Sequence, residues 1–88
     1  MNRGQQALKE RWEQMLKSRR ISLENDQLEI EMLLVEIEVM RLLGEKTDIQ
    51  EMRANMDRER IGATKKEIAD YERKLEALNQ VAAGVKAK

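Results

Sequence analysis

Cysteine, histidine and proline are missing from the 88 residues, and aromatic side chains make up only 2% of them. Without cysteine the chain forms neither disulfides nor thiolate metal sites. Without histidine it also lacks the commonest general base and a main zinc ligand. The shortage of aromatic and turn-forming residues is unusual for a globular β or α/β domain. We therefore expect no enzymatic activity, no metal and no cofactor.

Long uncharged apolar runs are missing as well. The richest apolar segment, residues 28–43, contains five charged residues in sixteen, which excludes an ordinary membrane span. Residues 1–6 carry no apolar core of the kind found in signal peptides. We expect a cytoplasmic chain, or part of a particle assembled from cytoplasmic chains, with neither a membrane nor a small molecule as partner.

Charged residues, in contrast, make up 39% of the chain, as in long helices and coiled coils. Leu16, Leu23, Ile30 and Ile37 recur every seven residues. This heptad spacing places them on one stripe of an α-helix. The pattern predicts a first helix over residues 5–43.

A turn is predicted directly after this helix. Gly44 stands where a C-terminal cap glycine would lie, and Thr47 with Gln50 forms a capping-box pattern. The alternative is one uninterrupted helix, because a single glycine in a helix costs only about 1 kcal/mol. We predict a single domain over residues 1–88: a turn at 44–47, a second helix at 48–83 and a frayed tail at 84–88. The fold class is all-α, an antiparallel two-helix coiled-coil hairpin.

The second helix carries two apolar stripes. Ile68 and Leu75 continue one heptad series, whereas Ile49, Met52 and Met56 follow another frame. This change predicts a stutter near residues 61–62.

A turn centred between residues 45 and 46 makes the numbers of facing residues add to 91. In that register Leu16 faces Leu75, Leu23 faces Ile68 and Ile30 faces Ile61. It also predicts the ion pairs Arg19–Glu72, Asp26–Lys65, Glu31–Arg60 and Glu38–Arg53. The predicted hairpin core is Leu16, Leu23, Ile30, Ile61, Ile68, Leu75 and Leu78.

Apolar side chains surround the first helix near the turn, and one partner helix covers only one stripe. We therefore expect a second interface, in a larger helical bundle, a homo-oligomer or a complex with a helical partner protein. The alternatives are ordinary core filling by the methionines, and local disorder or a strand over residues 35–39. The predicted interface is Leu28, Met32, Leu33, Leu34, Val35, Ile37, Val39, Met40, Leu42, Leu43, Met52 and Met56.

The net charge is zero, but it is unevenly distributed. Residues 1–20 carry a net +4, residues 21–51 a net −7 and residues 52–88 a net +3. A hairpin would gather the positive charge at its open end, where we predict a basic contact surface: Arg3, Lys9, Arg11, Lys17, Arg19 and Arg20. Trp12 is a candidate interface hot spot, although packing within the hairpin would explain it equally well.

Two functions follow from these features. The first is a non-enzymatic coiled-coil protein that binds other helices, as an assembly factor, a chaperone-like adaptor or a component of a larger particle. The second is a small nucleic-acid-binding protein that uses the basic open end. The sequence has little aromatic surface for base stacking, which favours the first.

Overall fold

A computed structural model, which describes residues 1–84, contains two α-helices joined by a short turn. Helix α1 spans Arg3–Leu42 and helix α2 spans Asp48–Ala82. The helices run antiparallel along an elongated molecule of 64 × 23 × 13 Å. No strand occurs within residues 1–84, and residues 35–39 are helical. The predicted all-α helical hairpin is therefore confirmed.

Helix α1 begins two residues before the predicted start because Asn2 caps it. The Asn2 side chain accepts a hydrogen bond from the Gln5 N–H at 2.8 Å, and the Gln5 side chain accepts one from the Asn2 N–H at 2.9 Å. This reciprocal pair is a capping box that satisfies backbone donors at the helix start. The pattern was present in the sequence, with asparagine in the place of the usual serine or threonine.

The turn is built by Gly44, as predicted. Its φ of +74° is a left-handed conformation that glycine adopts without strain. The N–H of Gly44 donates to the Arg41 carbonyl at 3.1 Å, and that of Glu45 donates to the Met40 carbonyl at 2.9 Å. These two bonds form a Schellman motif, which satisfies the last carbonyls of α1.

The start of α2 differs from the predicted capping box. Thr47 is the N-cap residue, but its side chain makes no capping hydrogen bond. Gln50 instead donates to Glu36 across the hairpin at 3.4 Å. Asp48 and Glu51 supply negative charge in the first turn, where it suits the positive end of the helix dipole. The start of α2 at residue 48 is nevertheless as predicted.

The inward face of α2 keeps one frame throughout. Apart from Glu51 and Asp70, its buried and half-buried positions follow each other at alternating steps of four and three residues, so the predicted stutter near residues 61–62 is wrong. Ile49, Met52 and Met56 suggested a second frame only because they are apolar, and all three are exposed. The positions that do face α1 are residues 50, 54, 57, 61, 64, 68, 71, 75, 78 and 82.

The predicted pairing register is also wrong. Arg19 pairs with Glu67 instead of Glu72, and Asp26 pairs with Arg60 instead of Lys65. On the two flanks of the hairpin, the numbers of ion-paired residues add to 82 for Arg53–Glu29 and to 92 for Arg20–Glu72. Because these pairs lie on opposite sides of the seam, the mean of their sums, 87, is the sum for residues that face each other directly. The helices are therefore shifted by about four residues, or one helical turn, from the predicted register, whose sum is 91.

The error arose because a heptad stripe repeats. A shift of one helical turn brings one seam position into the place of the next, so the apolar series match nearly as well in either register. The ion pairs Glu31–Arg60 and Glu38–Arg53 were predicted from the same sum. In the structure, Arg60 and Arg53 bind Asp26 and Glu29.

Within residues 1–84 the buried apolar side chains are Leu16, Leu33, Ile37, Ala54 and Leu78. Leu23, Ile30, Ile61, Ile68 and Leu75 were also predicted in the core, and they lie on the seam but are half-buried. A two-helix seam leaves its rims open to water, which explains their partial exposure. Helix α2 ends at Ala82, one residue before the predicted end, and the predicted fraying of residues 85–88 lies outside the described residues. In the part described, neither helix is long and apolar enough to cross a bilayer.

Candidate protein-interaction face

The outer face of α1 near the turn is the most apolar exposed surface of the hairpin. Its side chains are exposed by 51–87%. At 100° per residue they lie opposite Leu33 and Ile37, which point into the seam. We call this surface the α1 outer stripe. It consists of Leu28, Met32, Val35, Val39 and Leu42.

Glutamates border this stripe on both sides. Glu29 and Glu36 lie on the side nearer α2, where Arg53 donates to Glu29 at 2.9 Å and Gln50 donates to Glu36. Glu31 and Glu38 lie on the other side, are exposed and form no ion pair within residues 1–84. A shallow hollow at mid-stripe has Met32 and Val35 as its floor and Glu31 and Glu36 at its edges.

The structure divides the predicted interface among three places. Leu33 and Ile37 are buried in the hairpin core and Met40 is half-buried, so these three are not on the outer surface. Met52 and Met56 lie with Ile49 on the outer face of α2, separate from the α1 outer stripe.

The remaining predicted interface residues are exposed. Leu34 is 43% exposed on the flank of α1, and Leu43 is 67% exposed at its C-terminal cap. Neither belongs to the α1 outer stripe.

A cluster of charged and polar side chains interrupts the seam in the middle of the hairpin. Asp57 is buried, with its side chain only 8% exposed. One of its oxygens accepts from Arg60, and the other has no hydrogen-bond partner. Arg60 also bonds Asp26 across the seam at 3.1 Å, and Thr64 is buried beside them. From the sequence, Asp26 was predicted to pair with Lys65, and neither Asp57 nor Thr64 was predicted in the seam, because polar residues do not stand out in an apolar heptad pattern.

Arg60 joins two carboxylates of this cluster. The hydrogen bond and charge of Asp26 raise the pKa of Arg60 above its ordinary value, and the charge of Asp57 acts in the same direction. Arg60 therefore stays protonated and holds one acid from each helix. Within residues 1–84, no three acidic side chains converge into a metal-binding group.

The predicted basic contact surface is divided as well. Arg19 and Arg20 form cross-helix ion pairs with Glu67 and Glu72, and Lys9 lies 3.9 Å from Glu13. Their charges are thus partly neutralised within the hairpin. Of the six predicted cations, Arg3, Arg11 and Lys17 form no ion pair within residues 1–84. Lys86 and Lys88, which were counted in the basic open end, lie outside the described residues.

Both aromatic side chains are half-buried near the open end. Tyr71 lies under the Lys74 ammonium, with 5.5 Å between the nitrogen and the ring centre. This is a cation–π contact within α2. Arg20 bonds Glu72, the residue after Tyr71. In the observed register Trp12 is level with Leu75 of α2.

Comparison with known proteins finds no family model, no curated protein and no solved structure that matches this chain.

Proposed function

We propose that this protein is a non-enzymatic coiled-coil interaction protein that acts in the cytoplasm by binding other helices. Its role would be that of an assembly factor, a chaperone-like adaptor or a component of a larger particle. The α1 outer stripe carries the proposal. Five apolar side chains there are spaced by four, three, four and three residues, which is the spacing of a coiled-coil seam, and all five are exposed.

The α1 outer stripe leaves five apolar side chains in contact with water. Fully burying one such side chain is worth about 1.5–3 kcal/mol. A contiguous apolar row is a typical feature of protein-interaction sites, whereas isolated exposed apolar residues are ordinary. The row supports a bound state in which another helix covers it, either in a homo-oligomer or in a complex with a helical partner protein.

The alternative of nucleic-acid binding has less support. Three of the six cations predicted to contact phosphates lie beside carboxylates of the hairpin. Binding to duplex DNA at moderate ionic strength, lost on adding salt, would favour this alternative. The charge-reversed variant Arg11→Glu/Lys17→Glu would then have to abolish it.

Two measurements on the full chain test helix binding. Sedimentation over a range of micromolar concentrations reports self-association. Titration with amphipathic helical peptides reports binding of a helix from another protein. The residues beside the apolar stripe of these peptides are basic, acidic or neutral. We expect at least one of the two measurements to be positive, and to be abolished by Val35→Asp at mid-stripe but kept by Val81→Asp on α2. A well-folded monomer that binds none of the peptides would contradict the proposed function.

A further inference from the structure

The α1 outer stripe has the arrangement of a second coiled-coil seam. In heptad notation Met32 and Val39 are a positions, and Leu28, Val35 and Leu42 are d positions. The stripe covers fifteen residues, 28–42, and is about 21 Å long, which is about four helical turns. That length suits one helix laid along the face.

The positions that border such a seam, e and g, control which helix pairs with it. Between Leu28 and Leu42 the e positions are Glu29 and Glu36, and the g positions are Glu31 and Glu38. All four are glutamate. Glu31 and Glu38 meet no cation within residues 1–84, so the border of the stripe facing away from α2 is acidic and uncompensated.

A second copy of the same face is a poor occupant. In a parallel pair of helices e positions meet g positions, and in an antiparallel pair e meets e and g meets g. Either arrangement would set glutamate against glutamate along both borders. Like charges so placed act against the pairing.

The outer face of α2 from another copy does not fit either. Its apolar row has only three positions, Ile49, Met52 and Met56, against five on α1. Its borders are Asp48, Arg53 and Asn55, which is a mixed set. Neither its length nor its charge matches the α1 outer stripe.

We infer that the α1 outer stripe binds one amphipathic helix of a different protein, whose apolar stripe is bordered by lysine or arginine. This inference rests on the proposed function and specifies its partner. Apolar side chains of that helix would seat on Leu28, Met32, Val35, Val39 and Leu42, with the hollow at Met32 and Val35 taking a central one. Its cations would pair with Glu31 and Glu38, which are free of ion pairs in the part of the chain described.

The test uses the full chain and two synthetic helical peptides of about 21 residues. Both carry the same leucine and isoleucine stripe, but one has lysine at every e and g position and the other has glutamate there. Fluorescence anisotropy of labelled peptide measures Kd at low and high salt. We expect the lysine peptide to bind at least about tenfold more tightly than the glutamate peptide, and the difference to shrink as salt is added.

Two variants locate the contact. Val35→Lys should weaken binding of the lysine peptide by at least about tenfold, whereas Val81→Lys, at an exposed position of α2, should leave it unchanged. Glu31→Lys/Glu38→Lys should reverse the preference toward the glutamate peptide. Those two glutamates take part in no ion pair that holds the described hairpin together, so circular-dichroism melting should show an intact fold.

Several results would overturn the inference. Equal binding of both peptides would mean that the stripe is merely apolar, and binding that survives Val35→Lys would place the contact elsewhere. In both cases the chain would still bind helices, so the proposed function would stand. A wild-type dimer that Val35→Lys converts to monomer would make a second copy the occupant. Absence of lysine-peptide binding would overturn the inference, and the proposed function would fail only if the chain also neither self-associates nor binds any other peptide.

Discussion

Near the turn the two helices meet through Leu33, Ile37 and Ala54, whereas in the middle of the hairpin they meet through Asp26, Asp57 and Thr64. The apolar half removes hydrocarbon from water with no polar group to satisfy. In the polar middle the buried positions hold groups that need hydrogen-bond partners, and one oxygen of Asp57 has no partner. The segment near the turn is therefore expected to stabilise the hairpin more than the polar middle does.

The polar middle of the hairpin affects the register in which the two helices pair. A repeating apolar seam can slide by one turn at modest cost, because leucine and isoleucine pack against several neighbours equally well. The pairs Arg60–Asp26 and Arg19–Glu67 belong to the observed register, and a slide by one helical turn would break both. We therefore expect the polar cluster to fix the register at a cost in stability, as single buried polar residues do in other coiled coils.

The largest expected effect comes from breaking the apolar half. Leu33 is only 2% exposed, so Leu33→Ala should lower the free energy of unfolding by about 2–5 kcal/mol. Urea unfolding followed by circular dichroism measures it. Leu34→Ala makes the same chemical change at the neighbouring, 43% exposed position and should cost less than half as much. Equal losses from the two variants would contradict the assignment of Leu33 to the core.

The next largest change in stability is expected when a buried polar residue in the middle of the hairpin is replaced by an apolar one. Asp57→Leu should raise the free energy of unfolding by about 1–3 kcal/mol, because it removes a buried oxygen that has no hydrogen-bond partner. Arg60 keeps Asp26 as its partner. Thermal and urea unfolding measure the change, and Glu59→Leu on the exposed surface of α2 is the control, expected within about 0.5 kcal/mol of wild type.

A loss of stability in Asp57→Leu would show that the contacts of Asp57, including its bond with Arg60, outweigh the cost of burying its second oxygen. Asp57→Leu should also affect the register of the two helices. If the polar cluster fixes the register, spin-label distances between the two helices should broaden or shift when Asp57 is replaced. A single unchanged distance would contradict that role.

Replacing two glycines by alanine should change the stability by smaller amounts, and in opposite directions in the two regions. Gly44, in the turn, has a φ of +74°, so Gly44→Ala should destabilise by about 1–2 kcal/mol through backbone strain alone, with no atom in the way of a Cβ. Gly62, inside α2 next to the polar cluster, also has open space around it. Gly62→Ala should stabilise by about 0.5–1 kcal/mol. Unfolding midpoints that moved in the same direction would contradict the conformation assigned to the turn.

The smallest expected effect lies nearer the open end. Hydrogen bonds from Lys74 and then Arg73 lower the pKa of Asp70 below its ordinary value of 3.8. A carboxyl whose folded pKa is lowered adds stability above its unfolded pKa, and this is lost as the pH falls through the folded value. Asp70→Asn should therefore be slightly less stable than wild type at neutral pH and equal to it in strong acid.

Melting temperatures across the acid range measure this difference. Glu76→Gln is a suitable control, because Glu76 forms no ion pair within residues 1–84. A difference between wild type and Asp70→Asn that persisted at the lowest pH would show that Asp70 acts through something other than its charge.

Composition, heptad spacing and Gly44 were enough to predict two helices and the place of the turn, because these depend on local backbone preferences and on amphipathic period. The candidate site was predicted only in part. Residues 28–43 were recognised as apolar all round, but the sequence did not separate Leu33 and Ile37 from the α1 outer stripe. That separation depends on the direction in which α2 lies.

Local sequence patterns were sufficient to specify that this chain is helical, where it turns and that α1 has more apolar surface than one helix covers. The packing of the two helices sets the register, the polar cluster at Asp57 and which apolar side chains stay exposed. The physical reason is the heptad repeat. Seven-residue periodicity is the same after a shift of one repeat and nearly the same after one turn, so local patterns leave the alignment open. Ion pairs between distant residues, such as Arg53 with Glu29, exist only once the two helices have met.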